Sequence, residues 1–410
     1  MKLSKLGALA TVAVLAFSAC GTNGGGTAKG TIQIWSELPR QGSSKGQTDT
    51  IVNAIKFKLD SVNNTVDGWT IKYSDRDDST AAAGKWTQEQ ATALATEAST
   101  TADLAAYIGT FNSGAAKIVI PVLCAAGIPM ISPANTYPGL TKPGKGTADE
   151  PGKYYPNGCQ HNYYRVVPAD DLQGDVGANW AKDLGATKVY VIDDTEIYGK
   201  GIADVFEASA KAAKLTVLGH DQAPGTSTDF KALAAKIAAT GPDLVYYGGI
   251  TQNNAGQLWK DLREAMKTVK LMGPDGIYED AFLTAAGAAA EGSYLTFGGT
   301  TADQYTGDAA KFRDDYKAKY GTDLEVYTIY GAEAANVLIA AITTASKAGA
   351  KDVKALRKGI LDALAATKDF KGILGTWSFD ANGDTSLKIF SGTVVTGGKF
   401  VFNKVLGAGG

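Results

Sequence analysis

Histidine is almost missing from this 410-residue chain, which carries only His161 and His220. Neither stands at metal-ligand spacing to a second histidine or a cysteine pair. A histidine-based catalytic triad is expected only in principle, on the reading that no serine stands in a G-x-S-x-G context. Gly199-Lys200-Gly201 lacks the preceding glycine and the following Ser/Thr of a phosphate-binding loop, and no G-x-G-x-x-G follows the first strand of either half. We therefore expect no catalytic residue, no metal and no cofactor. A basic excess is lacking too. Forty Lys and Arg against 42 Asp and Glu give a net charge of −2, whereas a nucleic-acid partner would call for a basic patch. Long apolar runs are also scarce: Leu6–Phe17 offers about 12 residues where a spanning helix needs roughly 20.

That short run follows Lys2 and Lys5, so residues 1–20 read as an export signal. Phe17-Ser18-Ala19-Cys20 resembles a bacterial lipobox, in which Cys20 would carry the lipid; the alternative is an ordinary secretory signal with an incidental cysteine. Residues 21–30, rich in glycine, suit a flexible tether. Export makes a bond between the other two cysteines, Cys124 and Cys159, feasible, and we expect one, two buried thiols being the alternative.

The rest alternates. Apolar, β-branched runs at Ile32–Trp35, Trp69–Tyr73, Ala105–Ile108, Pro129–Ile131 and Tyr163–Val167 are separated by helical stretches such as Gln47–Val62 and Gln88–Thr100. A second block repeats the pattern between Val189 and Phe297. Alternation of this kind implies parallel sheets with helices on both faces, hence an α/β fold of two doubly wound lobes. After Thr301 come three helices and then late strand-like runs with an Asn382-Gly383 turn, so the chain must cross between lobes more than twice. The spacing of Ala115, Ile118, Val119, Val122, Leu123 and Ala126 predicts a helix with Ser113 at its N-cap, a kink at Pro121 and an end at Gly127. Pro143–Cys159 reads as a surface loop, and Asp75, Asp77 and Asp78 as solvated charge. In an open parallel sheet, ligands bind where strands end. That singles out the turns at Asn112-Ser113 and at Ser132–Thr136.

The segments YIGTFNSGAA, IPMISPANTYPGLT, YRVVPADDLQG, YVIDDTEIYGKG, DFKALAAKI, DLVYYGGITQNNAGQ and LMGPDGIYEDAF follow in the order seen in type I periplasmic binding proteins. Over residues 30–400 the chain resembles the branched-chain amino-acid (leucine/isoleucine/valine) binding proteins of bacterial ABC transporters. The resemblance implies two Rossmann-like lobes joined by a three-segment hinge: 31–167 with 298–377, and 168–297 with 378–405. It implies a ligand enclosed by closure and no catalysis. It gives Ser113 to the ligand carboxylate, with the Thr136 hydroxyl and backbone groups of Ala134 and Asn135. It gives Tyr198 and, for the ligand ammonium, Asp275. Two aromatic positions of the family's side-chain pocket are not kept: Ile250 follows one strand, and Pro39–Ser43 with Gln41 forms the first loop. Gln41, Gln252 and Asn253 would make that pocket more polar. The expected partners are a small zwitterion and a membrane ABC permease, with the chain a monomer outside the bacterial membrane. The alternatives are an amide, urea or aromatic acid as ligand, or a sensor partnering a membrane receptor.

Overall fold

The computed structural model describes residues 28–407. The expected signal, Cys20 and the tether up to residue 27 lie outside them. The first lobe comprises β1 (Gly30–Leu38), α1 (Lys45–Ser61), β2 (Thr65–Val66), β3 (Trp69–Asp77), α2 (Gln88–Thr100), β4 (Leu104–Gly109), α3 (Ser113–Ala125), β5 (Met130–Ser132) and β6 (Tyr163–Arg165). Its sheet has the order β2-β3-β1-β4-β5-β6, parallel throughout except for β2 against β3. Every residue of β4, LAAYIG, is buried, as expected of a strand with helices over both faces. Strand order reverses between β1 and β4, and the crevice outside such a point is where open α/β sheets bind ligands.

The second lobe repeats this plan. It contains α4 (Asp170–Asp183), β7 (Lys188–Asp193), α5 (Ile197–Ala212), β8 (Thr216–Gln222), α6 (Lys231–Thr240), β9 (Leu244–Gly248), α7 (Ala255–Ala265), β10 (Lys270–Gly273), α8 (Asp280–Ala286) and β11 (Tyr294–Gly298). The parallel part runs β11-β10-β9-β7-β8, reversing between β7 and β9. The chain then returns to the first lobe. There α9 (Gly307–Tyr320), α10 (Thr328–Lys347), α11 (Val353–Ala365) and the hairpin β12 (Phe370–Gly372) and β13 (Gly375–Trp377) follow in sequence, and Tyr316, Leu338, Leu361 and Trp377 join that lobe's apolar core. Finally β14 (Phe390–Thr396) and β15 (Lys399–Leu406) add to β11 as antiparallel strands. The chain thus passes between the sheets three times, at 166–169, 299–306 and 378–389, and the fold is the expected two-lobed α/β arrangement.

The third passage is pinned by a buried ion pair. Arg165, fully buried, donates Nε to Asp384 Oδ1 at 2.6 Å and its terminal nitrogens to the carbonyls of Tyr137 and Asn135 and to Thr141 Oγ1. Burial pushes the Asp384 carboxyl up, but the charge and hydrogen bond of Arg165, with Lys142 and Thr141, together hold the group below its usual range.

Several local expectations are corrected. The N-cap of α3 is Asn112, and Ser113 is the first helical residue; its Oγ accepts the Tyr137 N–H at 3.4 Å, which draws it away from its own helix end. The helix runs through Pro121 to Ala125, and Gly127, in the left-handed region at φ 65°, ends it as expected. The tether ends early, because Lys29 Nζ is held by Asp67 and Ser346. Of the three acids read as solvated only Asp78 is buried; Asp75 and Asp77 lie in β3, exposed and half-buried. Asp75 pairs with Arg40 at 2.9 Å, and Asp78 is fully buried, pushed up to about 8 by burial and by Asp77. The Pro143–Cys159 segment is the expected surface loop, most of its residues being exposed, and it is tied down: Cys124 and Cys159 are bonded as expected, and Glu150 accepts from the Tyr137 and Tyr154 hydroxyls at 2.8 and 2.6 Å. Asn382-Gly383 turns back only a single antiparallel bridge, Phe379 to Thr385, because residues 378–389 are occupied with crossing between lobes.

Candidate functional site

Ser132 builds the first-lobe turn. At the end of β5, its Oγ donates to the Thr110 carbonyl at 2.9 Å and accepts the N–H groups of Ala134 and Asn135 at 3.1 and 2.8 Å. Those two N–H groups, expected to be free for an anion, are therefore committed. The Asn135 side chain is committed as well, donating to the Phe111 carbonyl and accepting from the Tyr163 hydroxyl. Asn135 thus locks the β4 turn to the β5 turn. Thr136 and Ser113, both buried, lie on the locked rim, where the N-terminus of α3 favours negative charge. Gln41 is drawn the other way, donating to Asp77 at 2.9 Å.

Across the cleft, Asp275 follows β10 and is 3% exposed. Its Oδ1 accepts from Gln173 Nε2 at 2.6 Å and from the Tyr198 hydroxyl at 3.0 Å, and its Oδ2 accepts from the Tyr327 hydroxyl. Burial pushes Asp275 up, while Tyr327, Gln173 and Tyr198 oppose the shift by hydrogen bonding. Tyr198 also accepts the Gly276 N–H at 3.0 Å and packs with Ile202 and Ile250. The Ile250 loop hangs on Asp194, which accepts from Ile250 N and from Asn253 Nδ2. Burial lifts that carboxyl to about 7. Gln252 keeps both polar atoms of its amide buried with no hydrogen-bond partner among the described residues.

The lobes touch along the rim. Ser44 donates to Glu279 at 2.5 Å, Gln47 to the Tyr278 carbonyl at 3.2 Å, and Lys85 to Asn253 at 2.7 Å. Tyr137 lies against α5, so that a Cβ on Gly201 would come within 2.7 Å of its ring. This is a closed, two-walled cleft with hydroxyls and a helix end on one side and a buried carboxylate on the other.

A family model described as periplasmic binding protein matches residues 31–399. The chain belongs to the periplasmic binding protein family. Among curated relatives, the Leu/Ile/Val-binding protein BraC3 of Rhizobium johnstonii is 28% identical over 285 residues, 69% of this chain and 71% of that one. Leu/Ile/Val-binding protein homolog 1 of Brucella suis is 30% identical over 68% of this chain and 69% of its own length. Among solved structures, the leucine-binding protein LivK of Thermotoga maritima superposes with a TM-score of 0.79 at 24% identity, covering 92% of this chain and 99% of that one. The LivJ protein of Streptococcus pneumoniae, solved with isoleucine, gives 0.76 at 25% over 92% and 98%. A solute-binding protein of R. palustris solved with benzoate gives 0.76 at 22% over 92% and 96%.

In this periplasmic binding protein the structure adds residues that sequence reasoning passed over. Tyr327 comes from the first-lobe side, stacked edge-on against Phe111 at 5.8 Å, yet its hydroxyl reaches Asp275. It supplies a ring near the acid although neither expected aromatic position is filled. Asp170 and Gln173 open α4 at i, i+3 spacing, which places both on one face of its first turn; that spacing was a usable signal. Gly42-Ser43-Ser44-Lys45-Gly46 does read G-x-S-x-G, which corrects the expectation that no serine stands in that context. Ser44 is nevertheless spent on Glu279, while His161 contacts the Tyr163 carbonyl and His220 contacts Glu207 and Asp193.

Proposed function

We propose that this chain is the exported solute-binding component of an ABC importer, capturing an amino acid, branched-chain or related, between its closing lobes and delivering it to a membrane permease. The observation that carries this reading is the opposition of Ser113 and Thr136 on one rim to the buried, phenol-supported Asp275 on the other. A zwitterion satisfies both walls at once: its carboxylate meets hydroxyls and a helix N-terminus, and its ammonium meets the acid in a charge-assisted bond. The naming of the curated relatives as Leu/Ile/Val-binding proteins points the same way. We place the lobes at 31–167 with 298–377 and 168–297 with 378–405, and the lipid anchor at Cys20. In this reading the mature chain is a monomer held outside the membrane, and closure is a hinge motion about the three passages.

A thermal-shift screen across amino acids, amides, ureas and aromatic acids tests it. A ligand at about 100 times its dissociation constant adds roughly 2.7 kcal/mol of stability, and small-angle scattering should show the protein more compact with that ligand. A screen in which only aromatic acids shift the midpoint would replace the amino-acid reading. An unchanged radius of gyration at saturation would remove closure from it.

A further inference from the structure

One of the two histidines is built into the second lobe. His220 lies on β8, the edge strand beside β7. Its Nδ1 meets Glu207 Oε2 of α5 at 2.6 Å, and its Nε2 meets Asp193 Oδ2, at the end of β7, at 3.0 Å. An ionised carboxylate only accepts hydrogen bonds, and a neutral imidazole has one donor and one acceptor. Both contacts are satisfied together only when both ring nitrogens carry protons, so the ring is an imidazolium. The bond to Asp193 and, against the opposing effect of burial, the bond to Glu207 hold its proton above the ordinary histidine range.

What the ring holds leads to the cleft. Asp193 is buried, and its other oxygen, Oδ1, accepts the Thr195 N–H at 2.7 Å. Thr195 stands in the left-handed region at φ 70°, which a β-branched residue rarely adopts. Such backbone persists only where its surroundings fix it, and it gathers at binding sites. Directly after this turn α5 begins at Ile197, and its second residue is Tyr198, whose hydroxyl donates to Asp275 at 3.0 Å. Asp194 fixes the other side of the turn, accepting Glu196 N and Ile250 N, each at 3.0 Å.

We propose that His220 is a positioning residue for ligand binding: its imidazolium ties β8 and α5 to the strained Thr195 turn and keeps Tyr198 aimed at Asp275, and loss of the ring proton slackens that turn and weakens ligand capture. This rests on reading the cleft as the ligand site. It goes beyond that reading by giving the second-lobe wall a proton-dependent support outside the pocket. A neutral ring can donate to only one of the two acids, and the other is left against a lone pair. The charged groups that face the ring are Asp193 from β7 and, from α5, Glu207 with Lys211 on its other oxygen. Asp221 follows His220 on β8 and turns to the opposite face of the sheet, where it takes Lys236 of α6 and the Tyr190 hydroxyl. The support is whole below the ordinary histidine range and is lost as pH rises through the ring's own, higher value.

Ring nitrogen chemical shifts read the proton directly, and with two histidines in the sequence a His161→Gln variant assigns both. His220 should carry two protons at about pH 7; a neutral ring there would overturn the proposal. Hydrogen exchange of the ligand-free protein, read by mass spectrometry, then follows residues 193–202 in wild type, His220→Gln and Glu207→Gln, compared at equal pH. At about pH 6 the segment should exchange at least about fivefold faster in His220→Gln than in wild type, and the gap should close by about pH 9, where wild type has lost the same proton. Glu207→Gln removes one acceptor and should move both the ring titration and the rise in exchange down by about one pH unit. No gap at about pH 6, or a gap that ignores pH, would make His220 a packing residue and overturn the proposal. Calorimetry with L-leucine adds the ligand: His220→Gln should bind about tenfold more weakly than wild type at about pH 6 and equally at about pH 9. Equal binding at both would overturn the role in capture. L-leucine binding to neither protein would count against the amino-acid reading alone, and exchange would still decide His220. If circular dichroism shows His220→Gln unfolded, wild type decides: exchange of 193–202 must rise above its intrinsic rate at the pH where the His220 ring titrates, and a rise elsewhere would overturn the proposal.

Discussion

The two lobes share one plan and differ in what they place at its edge. Each carries five parallel strands with the same reversal of order beside the first strand, and each exposes the turns that follow those strands. On the first lobe the turns after β4 and β5 are neutral: Ser132, Asn135 and Ser113 are tied into one another by side-chain bonds, and behind them the Cys124–Cys159 bond and Glu150 hold the 143–159 segment against α3 and Tyr137. On the second lobe the turns are charged and less braced. Asp275, Asp170 and Asp194 are all buried there, and no disulfide backs them among the described residues. A rigid dipolar wall facing a charged wall lets a repeated fold recognise a molecule that is not symmetric. Rigidity on the neutral side matters because hydroxyls and N–H groups act only at short range and must be in place beforehand.

The charged wall should break first. Asp275→Asn removes one partner of a buried ion pair, which typically costs about 3–5 kcal/mol, so affinity for the best ligand should fall by roughly two to four orders of magnitude. Titration calorimetry checks this, and a loss under about threefold would mean that the two walls are not divided by charge. Breaking the neutral wall's brace should act on stability rather than on recognition. Replacing Cys124 and Cys159 together by Ala releases a bond with a sequence separation of 35 and should lower unfolding free energy by about 2–4 kcal/mol. Denaturant unfolding measures it; an unchanged midpoint would remove the brace from the comparison.

Much of that comparison could be read from residues alone. β4 announces itself as a buried parallel strand because LAAYIG has no polar face to offer water, and the turn after it was placed correctly even though Ser113 proved to be the first helical residue. Ser113, Thr136, Tyr198 and Asp275 stand in short segments whose order marks the fold. What stayed hidden depends on contacts made far along the chain. Tyr327 meets Asp275 across 52 residues and a lobe crossing, and nothing local in VYTIYG reports it. Asp78 sits in a run, DRDDS, that reads as solvated, and it is buried only because neighbouring strands cover it. The committed N–H groups of Ala134 and Asn135 follow from the direction of a serine hydroxyl, which sequence does not specify.

Tyr327 gives the next smaller effect. Phe at this position keeps the edge-on packing against Phe111 and removes only the hydroxyl that joins a first-lobe element to the second-lobe acid. A hydrogen bond to a charged group is worth about 1.5–3 kcal/mol, so ligand affinity should drop by roughly ten- to a hundredfold with little change in the thermal midpoint of the protein alone. Equal losses in affinity and stability would instead make Tyr327 a core residue of the first lobe.

The smallest effect concerns the rim, where the walls meet acid to acid. Glu279 of the second lobe is fully buried on closure, with Oε1 on Ser44 and Oε2 without a partner among the described residues, and Gln47 reaches Glu325 at 3.4 Å. Burial, opposed by Ser44, lifts Glu279 to about 7. Burial, Glu279 and Asp280 lift Glu325 to about 8. Opening returns both to water and towards the ordinary value, so closing takes up protons. The closed form is thus favoured at low pH and progressively penalised as pH rises from the ordinary carboxylate range to about 7 to 8, above which the penalty is constant. The ratio of Glu279→Gln affinity to wild-type affinity isolates the rim, since Gln keeps the bond to Ser44 and has no charge to bury. That ratio should be near one at about pH 4, rise by at least about tenfold by about pH 7 and level off at higher pH, one pKa unit corresponding to 1.36 kcal/mol. Calorimetry across that range with a single ligand gives the curve. A flat ratio would mean that Glu279 ionises freely in the closed form, and that the rim closes without regard to charge.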